Sequence, residues 1–361
     1  MAKITRRIWL ESAALMAAAS AQAAPPRPGT TVRLSLNENP LGPSPLAIAA
    51  IRDELLALDR YTADRGDALE AQIAILEGVS PDQIILGEIL DALGLQLALA
   101  GPRGGEFVYS MPGYTALVDA VSPGGGVTVA VPLNDRLEND LPAIAAKLGT
   151  KTRALYVVNP HNPSGTASDG ETFLRFVRDA ARRTLVIVDE AYLEFLPDFA
   201  ARSAVRLTRE GANVIVFRTF GKIYGLAGLS IGHAIAPKAL AASLKAKGLG
   251  STLELNRLSV AAASASLRDR DYIPGMRARV SAEREEWHAL FARKGIEHAD
   301  SRGNFVFFKT GRPHAEFAAA LRSRGIEIGR AFPPLDQWAR ISIGLPAENG
   351  LARSAVEHIL H

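Results

Sequence analysis

Short apolar runs alternate with amphipathic stretches along most of the chain. The runs are bounded by turn residues and read EFVYS, GVTVAVPL, ALYVVNP, LVIVDE, NVIVFRTF and IGHAIAP, in that order. Between them, stretches such as GETFLRFVRDAARR place apolar residues at helical spacing. Strands that are apolar throughout and alternate with helices are typical of a mostly parallel sheet covered by helices. We therefore predict an α/β fold.

The pattern changes near residue 253. A long charged helix, YIPGMRARVSAEREEWHALFARKG, leads to the apolar runs NFVFFKT and ARISIGL, with another helix between them. We predict a smaller α/β domain over residues 253–361, following a large domain over residues 46–252. Residues 25–45 are rich in Pro and Gly, which indicates an extended arm lying on the surface, with Asn37 and Asn39 as structural caps.

Residues 1–24 form a basic and then apolar leader. The segment TRRIWL contains Arg6 and Arg7, and an Ala-rich stretch then leads to AQA, a small-x-small cleavage pattern. The leader resembles a twin-arginine export signal, and its apolar part is too short to span a bilayer. We predict export to the periplasm, with no membrane anchor in the mature form. The alternative is a cytoplasmic protein whose N-terminal helix packs on its body.

Composition excludes several classes of function. The 361 residues carry a formal charge of +3, and most of it lies in the leader, where three basic residues stand against Glu11. We therefore predict no nucleic-acid partner. The chain has no cysteine, which excludes disulfides, cysteine nucleophiles and cysteine-based metal sites. His161, His233 and His314 do not have metal-ligand spacing, so no metal site is predicted either.

Polar residues whose side chains can take part in catalysis or ligand binding follow three of the apolar strands. ALYVV is followed by a turn that carries Asn162, LVIV by Asp189 and Tyr192, and NVIVF by Thr219 and Lys222. Ligands of open parallel sheets bind beyond the carboxyl ends of the strands. We therefore expect an amide, a carboxylate, a phenol and an amine to face one crevice.

This set of groups matches the chemistry of pyridoxal phosphate. The cofactor aldehyde requires an amine, which Lys222 supplies by forming a Schiff base. Asp189 against the pyridine nitrogen would favour the protonated ring. Asn162 and Tyr192 could hydrogen-bond the phenolic oxygen. The phosphate requires backbone N–H groups, hydroxyls and a helix N-terminus.

Four motifs carry a family resemblance. NPHNPSGT, VDEAYLEF, TFGKIYGLAGLSIG and ARISIGLPAEN resemble, in this order, the fold-type I pyridoxal-phosphate-dependent aminotransferases of class I/II. The arm segment NENPLGPSP resembles the histidinol-phosphate aminotransferase group, and the likeness covers nearly everything from Leu34 onward. It implies a large domain with a mostly parallel seven-stranded sheet, a smaller α/β C-terminal domain and a homodimer. It also implies transamination between an amino acid, or an amino-alcohol phosphate such as histidinol phosphate, and a 2-keto acid.

The resemblance implies a role for each site residue. Lys222 would carry the Schiff base and the proton, Asp189 would face the pyridine nitrogen, and Tyr192 and Asn162 would lie at the phenolic oxygen. The remaining residues are Tyr114 stacked on the ring, Thr219 at the phosphate, Tyr61 reaching the neighbouring subunit's phosphate, Arg340 gripping the substrate carboxylate, and Arg330 facing the substrate.

The phosphate side departs from the family pattern. The family carries an arginine eight residues after the lysine, where this chain has Ser230. The small-residue phosphate loop is contracted to LGEIL, which leaves Gly87 and Glu88 at that position. The helix N-terminus after Gly87 together with Thr219 could suffice, or another cation could compensate. The third alternative is a protein that holds the cofactor with reduced turnover.

Two rival functions follow from the same residues. GLSIG, Gly228–Gly232, matches the Gly-x-Ser-x-Gly pattern of serine hydrolases. A nucleophile elbow needs a strand before Ser230 and a helix after it, and the sequence predicts the opposite order, so we reject this function. A different pyridoxal-phosphate reaction, such as decarboxylation, lyase chemistry or racemisation, is the remaining alternative.

Overall fold

The structure is a computed structural model that describes residues 31–360, so the leader lies outside the described residues. The strands are β1 (Val32–Leu34), β2 (Ile84–Leu86), β3 (Glu106–Met111), β4 (Val127–Pro132), β5 (Thr152–Val158), β6 (Leu185–Asp189), β7 (Val214–Thr219), β8 (Gly232–Ile235), β9 (Phe305–Lys309), β10 (Ile326–Ile328) and β11 (Trp338–Ser342). The α-helices are α1 (Pro45–Glu54), α2 (Ala63–Glu77), α3 (Leu90–Leu99), α4 (Ala116–Asp119), α5 (Leu141–Lys147), α6 (Gly170–Ala181), α7 (Phe199–Arg202), α8 (Val205–Arg209), α9 (Lys238–Lys245), α10 (Arg257–Arg268), α11 (Tyr272–Lys294), α12 (His314–Arg322) and α13 (Pro346–Ile359).

Seven strands form one sheet in the order β2-β8-β7-β6-β5-β3-β4. Strands β4, β3, β5, β6 and β7 run parallel, and β8 is antiparallel to both of its neighbours. The predicted α/β class with a mostly parallel sheet is confirmed. All six apolar runs quoted from the large domain became strands of this sheet, whereas β2 was not predicted because it has only three residues.

Burial of the central strands explains their composition. Every residue of β6 and β7 is buried, because helices cover both faces of the sheet. Helix α6 shows how this covering forms. The side chain of Asp169 accepts a hydrogen bond from the Thr172 amide and so caps the helix, and Phe173, Val177 and Ala180 form its buried stripe.

The C-terminal residues build a second, smaller layer. Strands β9 and β11 pair antiparallel, and α11 packs its apolar stripe on β9, with the Phe291 and Phe308 rings 4.7 Å apart. The 23-residue α11 is rich in charged residues, and none of the helices between residues 31 and 360 is both long and apolar enough to cross a bilayer. The domain boundary near residue 253 stays a prediction.

The described part of the arm, residues 31–45, does not lie on the surface as predicted. Its first strand, β1, pairs in parallel with β10, and both Val32 and Leu34 are buried. Arg33 between them is exposed, so the VRL segment alternates as a half-buried strand does. The Pro/Gly content concealed this short pattern, and the arm becomes part of the wall of the cavity described below.

The arm also packs tightly against the turn that carries Lys222. Gly225 has φ +72°, and its amide donates to the Lys222 carbonyl at 3.0 Å. A Cβ on Gly225 would lie 2.4 Å from the carbonyl carbon and oxygen of Gly42 in the arm. Only glycine permits both this backbone conformation and this approach.

We therefore expect Gly225→Ala to lower the free energy of unfolding by about 1–3 kcal/mol, because the arm and the turn must move apart. Gly228→Ala, in the same loop, is the matched control, since a Cβ there would meet no atom within 4 Å. Urea unfolding of both variants and the unaltered protein would measure the difference. Equal midpoints for the two variants would show that the close approach at Gly225 is not needed.

Candidate functional site

A cavity of about 700 Å³ opens at the carboxyl ends of the central strands. Val158 at the end of β5, Asp189 at the end of β6 and Thr219 at the end of β7 lie in its wall. The opposite wall comes from the arm, at residues 35–37, and from the C-terminal residues around Arg340. The site therefore lies where three segments that are distant in sequence meet, as expected for an open parallel sheet.

Lys222 extends into this cavity from a tight turn after β7. The Gly221 amide donates to Thr219 Oγ1 at 2.9 Å, which fixes the start of the turn. Lys222 Nζ donates to the Leu36 carbonyl at 3.2 Å and lies 5.8 Å from the centre of the Tyr192 ring. The amine is thus held by weak neutral contacts rather than by a carboxylate, which leaves it available for covalent chemistry.

Asp189 is a deeply buried carboxylate. Its Oδ1 accepts from the Ala191 amide at 3.0 Å, and its Oδ2 accepts from the Tyr156 hydroxyl at 2.8 Å. Burial raises the pKa of Asp189 to about 6, against the lowering effect of these two hydrogen bonds and of Lys222. The carboxylate is still ionised at neutral pH, and a cation placed against it would be bound strongly.

Tyr156 was missed by the sequence analysis. It lies within the apolar run ALYVV of β5, where an aromatic residue looks like ordinary core. Val158 pairs with Asp189 in the β5–β6 register, so Tyr156 lies two residues back on the same face of the sheet. The available signal was a tyrosine within an otherwise apolar strand, β5, whose neighbour β6 ends in an aspartate.

Tyr192 is surrounded by amides. Asn37 Nδ2 donates to the Tyr192 hydroxyl at 3.1 Å, and Asn162 Nδ2 lies 3.5 Å from the same oxygen. Asn37 is not merely a cap, contrary to the prediction: it has φ 55°, exchanges hydrogen bonds with Ser342, and lines the cavity. Asn39 does cap the backbone, by accepting from the Leu41 amide.

Arg340 is a buried cation for which residues 31–360 provide no carboxylate partner. Its Nη1 donates to Asn162 Oδ1 at 2.6 Å and its Nη2 to the Ser35 carbonyl at 2.8 Å, while Nε has no partner. Burial lowers the pKa of Arg340 to about 10, so it remains charged at neutral pH. A buried guanidinium without a counter-ion favours an anionic ligand.

Arg330 lies near Arg340 at the mouth of the cavity. It is exposed, lies 4.4 Å over the Phe332 ring and reaches the Gly113 carbonyl at 3.4 Å. Tyr114 lines the same mouth and is 43% exposed, whereas Tyr61 is 79% exposed and does not line the cavity of its own chain. All the predicted site residues therefore line this cavity except Tyr61 and Gly87, and Gly87 lies in the turn directly before Glu88.

The end of the cavity opposite Arg340 is acidic. Gly87, with φ 116°, turns the chain from β2 toward α3. Glu88 lines the cavity directly after it, and its carboxylate accepts a short hydrogen bond from the Thr219 hydroxyl. Ser230, with φ 46°, completes this corner.

The geometry at Ser230 excludes a nucleophile elbow. A short 3₁₀ turn, Ala227–Leu229, precedes Ser230, and strand β8 follows it. A hydrolase elbow has the reverse order, with the strand first and the helix second. The prediction that the hydrolase pattern is incidental is consistent with this arrangement.

The cavity fits pyridoxal phosphate at its reactive end. An amine, a buried carboxylate and a phenol with two amides converge, and these are the groups that the aldehyde, the ring nitrogen and the ring oxygen require. The fit at the phosphate end rests on Thr219, on backbone N–H groups and on the start of α3. Among the described residues that line this end, none other than Lys222 is cationic.

Known proteins resemble this chain over almost its whole length. The family model described as aminotransferase class I and II matches residues 30–359. The histidinol-phosphate aminotransferase of Limosilactobacillus fermentum is 34% identical over 330 residues, which cover 90% of this chain and 89% of that protein. Histidinol-phosphate aminotransferase 2 of Pseudomonas fluorescens is 34% identical over 338 residues, or 92% of this chain and 90% of that protein.

A solved structure gives the same result. The crystal structure of histidinol-phosphate aminotransferase from Sinorhizobium meliloti in complex with pyridoxal-5'-phosphate matches with a TM-score of 0.83 at 31% identity. The match covers 92% of this chain and 91% of that one. The similarity therefore extends over both the seven-stranded sheet and the C-terminal layer.

The buried carboxylate predicts a pH-dependent stability. Because the pKa of Asp189 is raised from 3.8 to about 6, the folded state holds this proton more tightly than the unfolded state. Stability from this group is therefore present at low pH and is lost as pH rises through 6, a loss of about 3 kcal/mol once complete. Without added cofactor, we expect Asp189→Asn to unfold at higher urea than the unaltered protein at pH 8.

This gap should shrink as pH falls to 5, which urea titrations at both pH values would measure. Asp179→Asn is the control, since Asp179 is exposed and its carboxylate lies 3.9 Å from Arg182. It should leave the midpoint almost unchanged at both pH values. A destabilised Asp189→Asn at pH 8 would contradict the expected cost of burying this charge.

Proposed function

The chain belongs to the class I and II aminotransferase family and is a pyridoxal-phosphate-dependent aminotransferase, and we propose that Lys222, Asp189 and Arg340 carry its transamination. The observation that supports this most is the convergence of these three side chains in one cavity. An amine, a buried carboxylate and an unpaired guanidinium have no common structural purpose there. Together they can hold a ring, a reactive carbonyl and a substrate anion.

Pyridoxal phosphate supplies an aldehyde that binds amines and a ring that accepts electrons. Lys222 would hold the aldehyde, and its amine, once released, would move the proton at the substrate Cα. Asp189 would keep a proton on the ring nitrogen, because its buried charge favours the cationic ring. Tyr192, whose hydroxyl lies beside the amides of Asn162 and Asn37, would hydrogen-bond the ring oxygen.

The two arginines indicate the class of substrate. Arg340 presents a planar fork, and its polar partners in the described part of the chain are an amide oxygen and a carbonyl, so a carboxylate or phosphate could exchange for them. Arg330, exposed at the mouth, can bind a second anion. An amino acid fits this arrangement, and so does an amino-alcohol phosphate such as the histidinol phosphate in the names of the relatives. A 2-keto acid would be the acceptor.

We expect Lys222→Ala to abolish the imine absorbance seen when pyridoxal phosphate is added, and to lower keto-acid formation by at least about a hundredfold. Lys238→Ala is the control, since that lysine is exposed and pairs only with Asp82 at 3.3 Å. It should keep both signals. Release of CO₂, or an inverted amino acid without keto acid, would instead support another pyridoxal-phosphate reaction.

We further propose a homodimer in which Tyr61 acts on the neighbouring subunit's site. Large apolar side chains are exposed in the N-terminal part of the described chain: Leu36, which lines the cavity, at 57%, Leu56 after α1 at 93%, and Ile75 on α2 at 81%. Such exposure is typical of a surface that a partner covers. Tyr61, exposed and outside its own cavity, lies in the same region of the chain.

A mixing experiment tests the dimer and the role of Tyr61 together. Lys222→Ala and Tyr61→Ala should each be weak alone. Hybrid dimers should regain activity, because one of their two sites then has both Lys222 and a Tyr61 from the other chain. Sedimentation would confirm the dimer. Activity of the mixture no greater than that of Tyr61→Ala alone would contradict the role in trans.

We also propose export through the leader, residues 1–24, which lie outside the described residues. The support is the pair Arg6 and Arg7 before an Ala-rich stretch and a small-x-small site. Cell fractionation would measure the periplasmic share of the full chain and of a variant with both arginines changed to lysine. We expect the unaltered chain in the periplasm and the variant in the cytoplasm. Equal cytoplasmic retention of both forms would rule out the proposal.

A further inference from the structure

The acidic end of the cavity lies where the cofactor phosphate is expected. Thr219 at the end of β7 and the start of α3 are the groups that would receive a phosphate there. The same corner contains the Glu88 carboxylate, while Ser230 occupies the position of the family arginine. A phosphate dianion bound at Thr219 would be repelled by the ionised carboxylate that Thr219 contacts. The chain must therefore bind this group differently.

The neighbouring cations do not solve the problem. Arg218, next to Thr219 in β7, is buried and committed to Glu77 at 2.6 Å and Glu190 at 3.0 Å. His233 on β8 is buried and its pKa is lowered to about 3, so it is neutral at physiological pH. Among residues 31–360 that line this end, Lys222 is the remaining cation, and it would be bonded to the aldehyde once the cofactor binds.

Further acids face Glu88 from the surrounding elements. Asp189 at the end of β6 and Asp91 in the first turn of α3 both act on its charge, and the phenol of Tyr114 lies across the cavity. Lys222 has the opposite effect. The Glu88 side chain is exposed to the cavity, and desolvation by the surrounding protein raises its pKa above the ordinary value, against the lowering effect of the hydrogen bond from Thr219. Its proton is therefore easier to acquire than that of a surface glutamate.

The hydrogen bonds show what such a proton would change. The Thr219 hydroxyl now accepts from the Gly221 amide and donates to Glu88. A protonated Glu88 can instead donate to Thr219 Oγ1, which has a second lone pair. The hydroxyl hydrogen of Thr219 is then available to a phosphate oxygen. One added proton thus removes the repulsive charge, and the Thr219 hydroxyl, which then accepts from both the Gly221 amide and Glu88, can donate to the phosphate.

We propose that Glu88 binds the cofactor 5'-phosphate in its neutral, protonated form, so that phosphate binding takes up one proton from solvent and substitutes for the missing arginine. This inference rests on the proposed function, and it assigns to Glu88 control over how tightly the phosphate is held. Binding of the phosphate is then strong at low pH and weakens as pH rises above the range in which Glu88 can be protonated.

The test compares pyridoxal phosphate with pyridoxal, which has the same aldehyde and ring but no phosphate. Dissociation constants of both are measured from the imine absorbance between pH 7 and 9, where the free phosphate is already a dianion. The ratio of the two constants isolates the contribution of the phosphate, because both compounds form the same imine with Lys222. We expect the advantage of pyridoxal phosphate to fall about tenfold per pH unit in the unaltered protein.

Glu88→Gln keeps an oxygen to accept from Thr219 and cannot ionise, so its ratio should stay constant within about twofold across this range. Asp91→Asn removes a charge from the same end without touching the Thr219 hydrogen bond, and it should keep the slope of the unaltered protein. Calorimetry in two buffers of different ionisation enthalpy gives a second readout, which needs no variant. Pyridoxal phosphate should take up about one proton more than pyridoxal at pH 8.

Each contrary result has a distinct meaning. Three results would overturn the role of Glu88 while the imine band still supports the proposed function. They are an unchanged pH slope of the ratio in Glu88→Gln, an equal loss of that slope in Asp91→Asn, and no extra proton uptake with pyridoxal phosphate. The absence of any imine band, with either compound, in both the unaltered protein and Glu88→Gln at every pH would overturn the proposed function and this inference together.

Discussion

The Asp189 carboxylate is charged in a place where burial opposes its charge. Two donors, the Ala191 amide and the Tyr156 hydroxyl, offset part of that cost, and the raised pKa shows that the rest remains. Because the Asp189 charge is poorly solvated, the site stabilises any cation that replaces water beside it. The other polar groups of the cavity are arranged around this fixed negative centre, with Lys222 one strand away.

The parallel sheet makes this arrangement possible. Because β5, β6 and β7 lie side by side and run in the same direction, their last residues reach one edge without any long connection. The second wall depends on the arm, which pairs with β10 and places Asn37 against Tyr192. The close approach of Gly225 to Gly42 then ties the arm to the turn of Lys222. The cavity has its shape only when all three segments are folded together.

The residues at the strand ends could be predicted from the sequence, whereas contacts between residues far apart in the sequence could not. Lys222 and Asp189 each follow an apolar run directly, so local pattern and the rule for parallel sheets were enough to place them in one crevice. Tyr156 and Asn37 were missed because their roles depend on register and on a contact between residues 155 positions apart in the chain. Strand β1 escaped because three residues in a Pro/Gly-rich arm carry too little periodicity.

Charge is distributed unequally along the cavity, and this affects the orientation in which an anionic substrate binds. Arg340 and Arg330 lie at one end, together with the Glu327 carboxylate, which accepts from the Ser35 hydroxyl at 2.9 Å, whereas Glu88 and Asp91 lie at the other end. A substrate anion is therefore attracted to the arginine end and repelled from the acidic end, which favours a single direction of entry. The same asymmetry opposes a phosphate dianion at Glu88. A proton is the smallest change that removes this repulsion, because it leaves the arginine end and its selectivity intact. The acidic corner thus separates two anions that a uniformly basic cavity would bind interchangeably.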